Sequence, residues 1–194
     1  MYRKRNEIRK KISDSAMDLF RRKGYDVSIS EICESAGITR SSFYNQFSCK
    51  EDIFFYLMEN ANALSETTFE DFTYADNDFE RLWLMVDNRL RIIDDCGPLL
   101  TKGLFQLELD QELGIIALTD AIRARCRKLY RNCIAQGIVT CNQDPDKIIE
   151  YGEHMTHGII FEWTRSGGSF DLRYKSRQAN EVILGLREDL RKTE

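Results

Sequence analysis

Apolar residues recur at three- and four-residue intervals along most of this 194-residue chain, a spacing that places them on one face of a helix. The first stripe predicts a helix from about Asn6 to Lys23, and it consists of Ile8, Ile12, Ala16, Leu19 and Phe20. Only two prolines interrupt the whole chain. The periodicity therefore predicts an all-α fold.

Two short helices joined by a tight turn are predicted between Ser28 and Phe47. Ser28 and Glu31 form a capping-box pattern at the start of the first helix, and Thr39 is the predicted cap of the second. Gly37 ends the first helix, because glycine adopts left-handed backbone angles without strain. A helix, a glycine turn and a second helix with a polar amino-terminal edge are the parts of a helix-turn-helix DNA-binding motif, here residues 28–47.

Residues 8 to 54 resemble the amino-terminal domain of TetR/AcrR-type transcriptional regulators. The agreement lies at fixed spacing in Ile8, Ile12, Ala16, Leu19-Phe20, Gly24-Tyr25, Ile29, Ile32, Ala36-Gly37-Ile38, Phe43-Tyr44, Phe47, Lys50-Glu51 and Ile53. Cys33 and Ser41 depart from the family pattern, which usually has alanine and commonly glycine there. The resemblance implies an all-α, two-domain protein. Residues 1–50 are predicted to form a three-helix helix-turn-helix domain, and residues 51–194 a helical domain for effector binding and dimerisation.

The second helix of the motif is predicted to lie in the major groove with its amino-terminal residues on base edges. Arg40 is the best candidate for direct readout, because a guanidinium can bind guanine O6 and N7 together. Ser41 and Ser42 are short enough to let the helix sit deep, and they can bind either a base or a phosphate.

Four further residues complete the predicted DNA contacts. The resemblance implies a phosphate contact for Tyr44, and Asn45 can do the same or read adenine. Ser28 and Lys50 are the predicted phosphate clamps on either side of the motif. A packing role for Tyr44 and a plain surface role for Lys50 stay open.

The charge of the chain is distributed unevenly. Residues 1–50 contain eleven Lys/Arg against six Asp/Glu, a net +5, so the net −4 of the whole chain leaves −9 for the remainder. A basic head on an acidic body fits a protein that binds double-stranded DNA at one end. The basic residues Arg3, Lys4 and Arg5 are either a DNA-binding arm or a solubilising tail. With no long apolar run and no signal peptide, the protein is expected to be cytoplasmic, without a membrane partner.

Polar breaks and capping signals divide the rest of the chain into further predicted helices. Their approximate ranges are Ser48 to Phe72 (with a Ser48–Glu51 capping pattern), Phe79 to Asp95, Leu99 to Leu109 after a Gly97-Pro98 break, Gly114 to Ala135, Asp144 to Ser166 and Asp171 to Arg191. The resemblance implies that the last two, about 144–166 and 171–191, form a homodimer interface. Gly152, Gly158 and Gly185 would allow close helix approach there. Packing of both helices inside the monomer is the alternative.

The resemblance also implies a small-molecule effector pocket in the body, although the sequence does not identify the effector. Candidate lining residues are Trp83, Phe105, Tyr130, Tyr151, His154, Met155 and Trp163. Aromatic residues at helical spacing also build ordinary cores, so both interpretations stay open. No cofactor is predicted.

The two histidines and six cysteines offer candidate chemistry of lower specificity. His154 and His157 lie one helical turn apart without a committed third ligand, so no metal site is predicted. The cysteines form no CxxC pair and are predicted to be reduced, small apolar residues. A redox role for Cys126 and Cys133, seven residues apart on one helix, is the alternative.

Enzyme signatures are missing from the sequence. It has no Walker A motif, no GxGxxG motif after a strand, no paired E-x-x-H motif and no histidine placed for a catalytic triad. We therefore interpret the chain as a non-enzymatic, ligand-responsive repressor that binds a palindromic operator as a homodimer. The alternatives are a DNA-binding dimer without an effector and, more remotely, an all-α enzyme.

Overall fold

The computed structural model describes residues 2–57, 75–111 and 118–191, with side chains from residue 6 onward and without that of residue 111. The helices in these ranges are α1 (Tyr2–Lys23), α2 (Ile29–Ser35), α3 (Arg40–Tyr44), α4 (residues 52–57), α5 (Asp78–Gln111), α6 (Asp120–Ala135), α7 (Pro145–Arg165) and α8 (Leu172–Leu184), followed by a 3₁₀ turn at Glu188–Leu190. The predicted all-α fold is confirmed.

The chain forms two compact units. Unit 1 contains the described residues up to 57 together with 95–111, and unit 2 contains 75–94 and 118–191. Residues 95–111 thus group with the amino-terminal helices, although they lie far from them in sequence. The predicted functional boundary after residue 50 stays a prediction.

Unit 1 is built on the apolar face of α1. Ile12, Ala16 and Phe20 are fully buried on this face, as the stripe predicts. The predicted helix start near Asn6 is wrong, because α1 already begins at Tyr2. The basic segment that includes Arg3, Lys4 and Arg5 is therefore part of the helix.

The predicted break at Gly97-Pro98 is confirmed as a kink within α5. Gly97 has φ 75°, outside helical values, and Pro98 follows it without an amide hydrogen to donate. The Thr101 hydroxyl donates to the Gly97 carbonyl at 2.8 Å. The kink divides α5 into the parts that the sequence predicts as two helices.

Unit 2 contains three capped helices that the sequence places correctly in outline. Thr119, Asp144 and Asp171 cap α6, α7 and α8 through their side chains. The predicted early part of α6, near Gly114, lies outside the described residues, as do Met58 and the remainder of the helix predicted to end at Phe72.

Ion pairs join α8 to the first part of α5 within unit 2. The Arg177 guanidinium donates to both oxygens of Glu80 at 2.6 and 2.9 Å, and to Glu181 at 2.8 Å. Arg173 binds both oxygens of Asp87 at 2.7 Å. These pairs fix the rotation of α8 about its own axis against α5.

The prediction that the last helix reaches Arg191 is wrong. Gly185 has φ 61° and ends α8 at Leu184, after which Leu186 pairs with Val139 in an isolated antiparallel bridge. A Cβ on Gly185 would lie 2.3 Å from Thr140 Oγ1. Gly185 is therefore needed for the turn and the bridge, and the close helix approach predicted for it in a dimer stays a prediction.

No helix in the described part of the chain has the length and apolar character to cross a membrane.

Candidate DNA interface

The first helix of the motif, α2, begins with the capping box that the sequence predicts. The Ser28 hydroxyl accepts from the Glu31 amide at 3.2 Å, and the Ser28 amide donates to Glu31 Oε2 at 2.9 Å. Lys23 binds Glu31 Oε1 at 2.7 Å. The bond from Lys23, together with those from Ser28, lowers the pKa of the Glu31 carboxyl to about 2. Ser28 is exposed, and its hydroxyl and amide are both already engaged in capping α2.

The turn between α2 and α3 follows the predicted geometry. Gly37 has φ 57°, and the Ile38 amide donates to the Cys33 carbonyl at 3.0 Å. Thr39 then caps α3, because its hydroxyl accepts from the Ser42 amide at 3.1 Å. The recognition helix thus has fixed backbone contacts at its amino-terminal end, where base contacts are made.

The recognition helix α3 separates a buried face from an exposed one. Phe43 is fully buried, with Phe47 packed 5.8 Å away between ring centroids. Tyr44 is 48% exposed, which excludes a purely internal packing role for its side chain. The predicted DNA contacts on the exposed side are Arg40, Ser41, Tyr44 and Asn45.

Ser42 and Lys50 differ from that exposed group, because their polar atoms already have partners. The Ser42 hydroxyl lies 2.9 Å from Thr39 Oγ1. The Lys50 ammonium donates to the carbonyls of Tyr25 at 2.6 Å and Val27 at 3.2 Å, and burial lowers its pKa. Neither side chain needs DNA to satisfy its hydrogen bonds.

The capping pattern predicted for Ser48 and Glu51 is not formed. The Asp52 carboxylate accepts from the amides of Ser48 at 2.6 Å and Cys49 at 3.3 Å. Glu51 instead accepts a hydrogen bond from the Tyr25 hydroxyl. A carboxylate at position 51 or 52 can reach the amides just before α4. The hydrogen bond with Tyr25 holds Glu51 away from those amides, and Asp52 binds them instead.

Two residues of the head have structural roles that sequence reasoning missed. The ring of Tyr25 packs with Phe20 and Phe54, at centroid distances of 6.3 and 6.0 Å. The Arg9 guanidinium lies over the rings of Phe47 and Tyr56, at 5.0 and 4.4 Å from their centroids. The sequence around Arg9 carries no signal of this contact, because both aromatic partners lie far along the chain, beyond the recognition helix.

Residues 12–57 match the family described as "Bacterial regulatory proteins, tetR family". This match identifies residues 12–57 as a domain of the TetR type and supports DNA-binding regulation as its role. The matched range covers α1 from Ile12, the helix-turn-helix motif and the described part of α4.

Solved structures of TetR-family regulators have the same fold along almost the whole chain. FadR of Thermus thermophilus, described as a transcriptional repressor in complex with lauroyl-CoA, is 18% identical with a TM-score of 0.61, and the match covers 96% of each chain. KstR2 of Mycobacterium tuberculosis, a ketosteroid transcriptional regulator, is 19% identical with a TM-score of 0.60, over 93% of this chain and 95% of that one. RolR in complex with resorcinol is 21% identical with a TM-score of 0.57, over 97% and 93%.

The residues predicted to line an effector pocket fall in both units of the chain. Phe105 belongs to unit 1, and the other six belong to unit 2. Of those six, Trp83, Tyr130 and Trp163 are buried. Tyr130 is also tied to the backbone, because its hydroxyl donates to the Cys141 carbonyl at 2.7 Å and accepts from the Gln143 amide at 3.2 Å.

The remaining pocket candidates lie on α7 and are less buried. Tyr151 and His154 are exposed, and Met155 is half-buried. Tyr151 and His154 thus lie outside the buried core of unit 2, and their part in an effector pocket stays a prediction. Among the described residues, no three His, Cys, Asp or Glu side chains come together to hold a metal ion.

Two cysteines of unit 2, Cys126 and Cys133, have the environment of core residues. Cys126 and Cys133 are buried, and burial raises the pKa of each thiol to about 12. A thiol with so high a pKa forms little of the thiolate that reacts with oxidants. The environment of both residues matches the small apolar role predicted from sequence.

Proposed function

We propose that this TetR-family regulator binds a two-fold symmetric operator as a homodimer and represses transcription until a small-molecule effector releases it. The observation that carries the DNA-binding part is the recognition helix, where Phe43 is fully buried while Arg40, Ser41, Tyr44 and Asn45 are exposed beside a fixed amino-terminal cap. An arginine at the start of such a helix can form two hydrogen bonds with guanine.

The proposed dimer interface is the exposed face of α7 and α8. Tyr151 and Phe161 are 50% and 54% exposed on α7, and Val182 is 71% exposed on α8. Gly158 lies between the two aromatic residues on the exposed side of α7, and a Cβ built there has no neighbour within 4 Å. Exposed large apolar residues grouped on neighbouring helices are typical of a surface that is buried in an assembly.

A dimer also supplies what a single recognition helix lacks. One helix contacts few base pairs, whereas two helices related by a two-fold axis read half-sites about one helical turn apart (~34–36 Å). Sedimentation velocity of the wild type and of Phe161→Asp tests this part. We expect a dimer for the wild type and a folded monomer for the variant, and a wild-type monomer at concentrations well above those used for DNA binding would refute it.

The effector is proposed to be a small organic molecule bound in unit 2. Support comes from the lauroyl-CoA and resorcinol complexes of proteins that share the fold. Release follows if the effector binds more tightly to the conformation in which the two recognition helices do not fit adjacent major grooves.

The experiment that tests the proposal is a selection of binding sites from a random DNA library, run in parallel with wild type and Arg40→Ala. We expect wild type to enrich a two-fold symmetric site, and Arg40→Ala to lose the preference for one base pair in each half-site. Enrichment of an asymmetric site, or of no site, would contradict the proposal.

A further inference from the structure

The Lys50 side chain is turned toward the protein rather than toward solvent. Its ammonium donates to the Tyr25 carbonyl at 2.6 Å and to the Val27 carbonyl at 3.2 Å. It also lies 3.7 Å from the centroid of the Tyr25 ring. Two carbonyls and a ring face thus surround the charge, and burial lowers the pKa of this lysine.

The two carbonyls belong to the segment that sets where α2 begins. Tyr25 and Val27 follow α1, and Ser28, the cap of α2, comes next in the chain. Tyr25 is itself held by a hydrogen bond from its hydroxyl to Glu51. Lys50 and Glu51, just before α4, therefore both hold the segment between α1 and α2. Lys50 binds backbone carbonyls of this segment, and Glu51 binds the hydroxyl at the end of the Tyr25 side chain.

We propose that Lys50 is a positioning residue, which fixes the start of the helix-turn-helix motif instead of clamping a DNA phosphate. This inference rests on the proposed DNA-binding function. A charged donor between two carbonyls orients the segment that carries Ser28, and through the Ser28 cap it orients α2 and the recognition helix that follows.

Salt dependence separates the two roles. Log affinity falls as log salt rises, and each phosphate contact that a lysine makes steepens this negative slope by about 0.9. Losing one contact from each subunit of a dimer therefore makes the slope shallower by about 1.8. For Lys50→Met we expect operator affinity to fall about tenfold, since a hydrogen bond to a charged group is strong, while the slope stays within about 0.3 of the wild-type value. Lys128→Met, which removes an exposed charge from α6 in unit 2, is the matched control.

Hydrogen exchange in the free protein provides a second readout, which a phosphate clamp would not change. The Glu31 and Ile32 amides are bonded to the Ser28 hydroxyl and carbonyl at 3.2 and 3.1 Å. In Lys50→Met without DNA, we expect these two amides to exchange about tenfold faster than in wild type and in Lys128→Met, because the segment that holds their acceptor is less restrained.

Acetylation of the lysines in the wild-type protein tests the proposal even if the Lys50→Met variant does not fold. With sulfo-NHS-acetate and no DNA, we expect Lys50 to react more slowly than the exposed Lys10 and Lys11. Three outcomes would each overturn the proposal. The first is a salt slope in Lys50→Met that is shallower by about 1.8 with unchanged hydrogen exchange, and the second is unchanged affinity with unchanged exchange. The third is acetylation of Lys50 at the rate of Lys10. If wild type shows no salt-dependent DNA binding, the proposed function fails, whereas the exchange and acetylation results still decide the role of Lys50.

Discussion

The ion pair between Arg177 and two carboxylates gives the largest stability effect that we expect from one substitution. The side chain of Arg177 is 11% exposed, and those of Glu80 and Glu181 are 10% and 8% exposed. Arg177→Met keeps an apolar stem of similar length but leaves both carboxylates in unit 2 without this guanidinium. Removing one partner of a buried ion pair costs about 3–5 kcal/mol, because the remaining charge stays desolvated after it loses that partner.

The same substitution at Arg165 is a matched control that differs in burial. Arg165 also binds both oxygens of one carboxylate, at 3.0 and 2.6 Å to Glu162. Its side chain is 65% exposed and that of Glu162 is 46% exposed, so the pair is in contact with solvent. We expect Arg165→Met to cost much less than Arg177→Met, because solvent screens an exposed ion pair.

Urea denaturation at one fixed protein concentration measures both variants, since the stability of a dimer depends on concentration. This comparison is made at pH 7, where carboxyl groups of the unfolded chain are ionised. A loss in Arg177→Met no larger than in Arg165→Met would refute the reasoning.

Three further predictions concern the head, α5 and α7. Arg40→Ala should weaken operator binding by ~1–3 kcal/mol and relax the preference at one base pair, and equal losses on operator and scrambled DNA in fluorescence anisotropy would refute base readout. Glu31→Gln should be less stable than wild type near pH 7. The difference in stability should vanish as the pH falls from about 4.5 through about 2, because the folded-state pKa of Glu31 is lowered to about 2. A difference that persists at pH 2 in chemical denaturation would contradict this. Gly103→Ala should be destabilising by ~1–3 kcal/mol, because its Cβ would lie 2.4 Å from that of Tyr25, whereas Gly152→Ala, with no neighbour within 4 Å, should be neutral or stabilising in thermal denaturation.

Sequence reasoning succeeded where the determinants are local. The caps of α2 and α3 depend on residues three positions apart, and the turn depends on the left-handed conformation of Gly37. The kink at Gly97 follows from a glycine and a proline in succession. Such short-range signals are visible in the order of residues, and they were sufficient to predict the helix-turn-helix motif.

Long-range contacts account for what the sequence could not show. The Lys50 ammonium finds its acceptors near Tyr25, and Gly103 packs on the same residue from a distant part of the chain. While Glu51 contacts Tyr25, Asp52 accepts hydrogen bonds from the amides of Ser48 and Cys49 before α4. No local sequence pattern shows which residues make these long-range contacts.

The end of α8 was mispredicted for a related reason. Leu186 and Leu190 continue the apolar periodicity of the helix, so the stripe alone favours a longer helix. The structure ends the helix at Gly185 because the chain then pairs with residues 139–141. Apolar periodicity therefore predicts which side chains pack inward, but it does not predict whether the backbone at those positions is helical.

The number of protein chains bound to one selected operator duplex tests the central claim most directly. Native mass spectrometry of the complex, with the full site and with a single half-site, gives this number. The account predicts two chains on a full site whose half-sites are about one helical turn apart, and much weaker binding to the half-site. One chain on the full site, with equal affinity for the half-site, would contradict it.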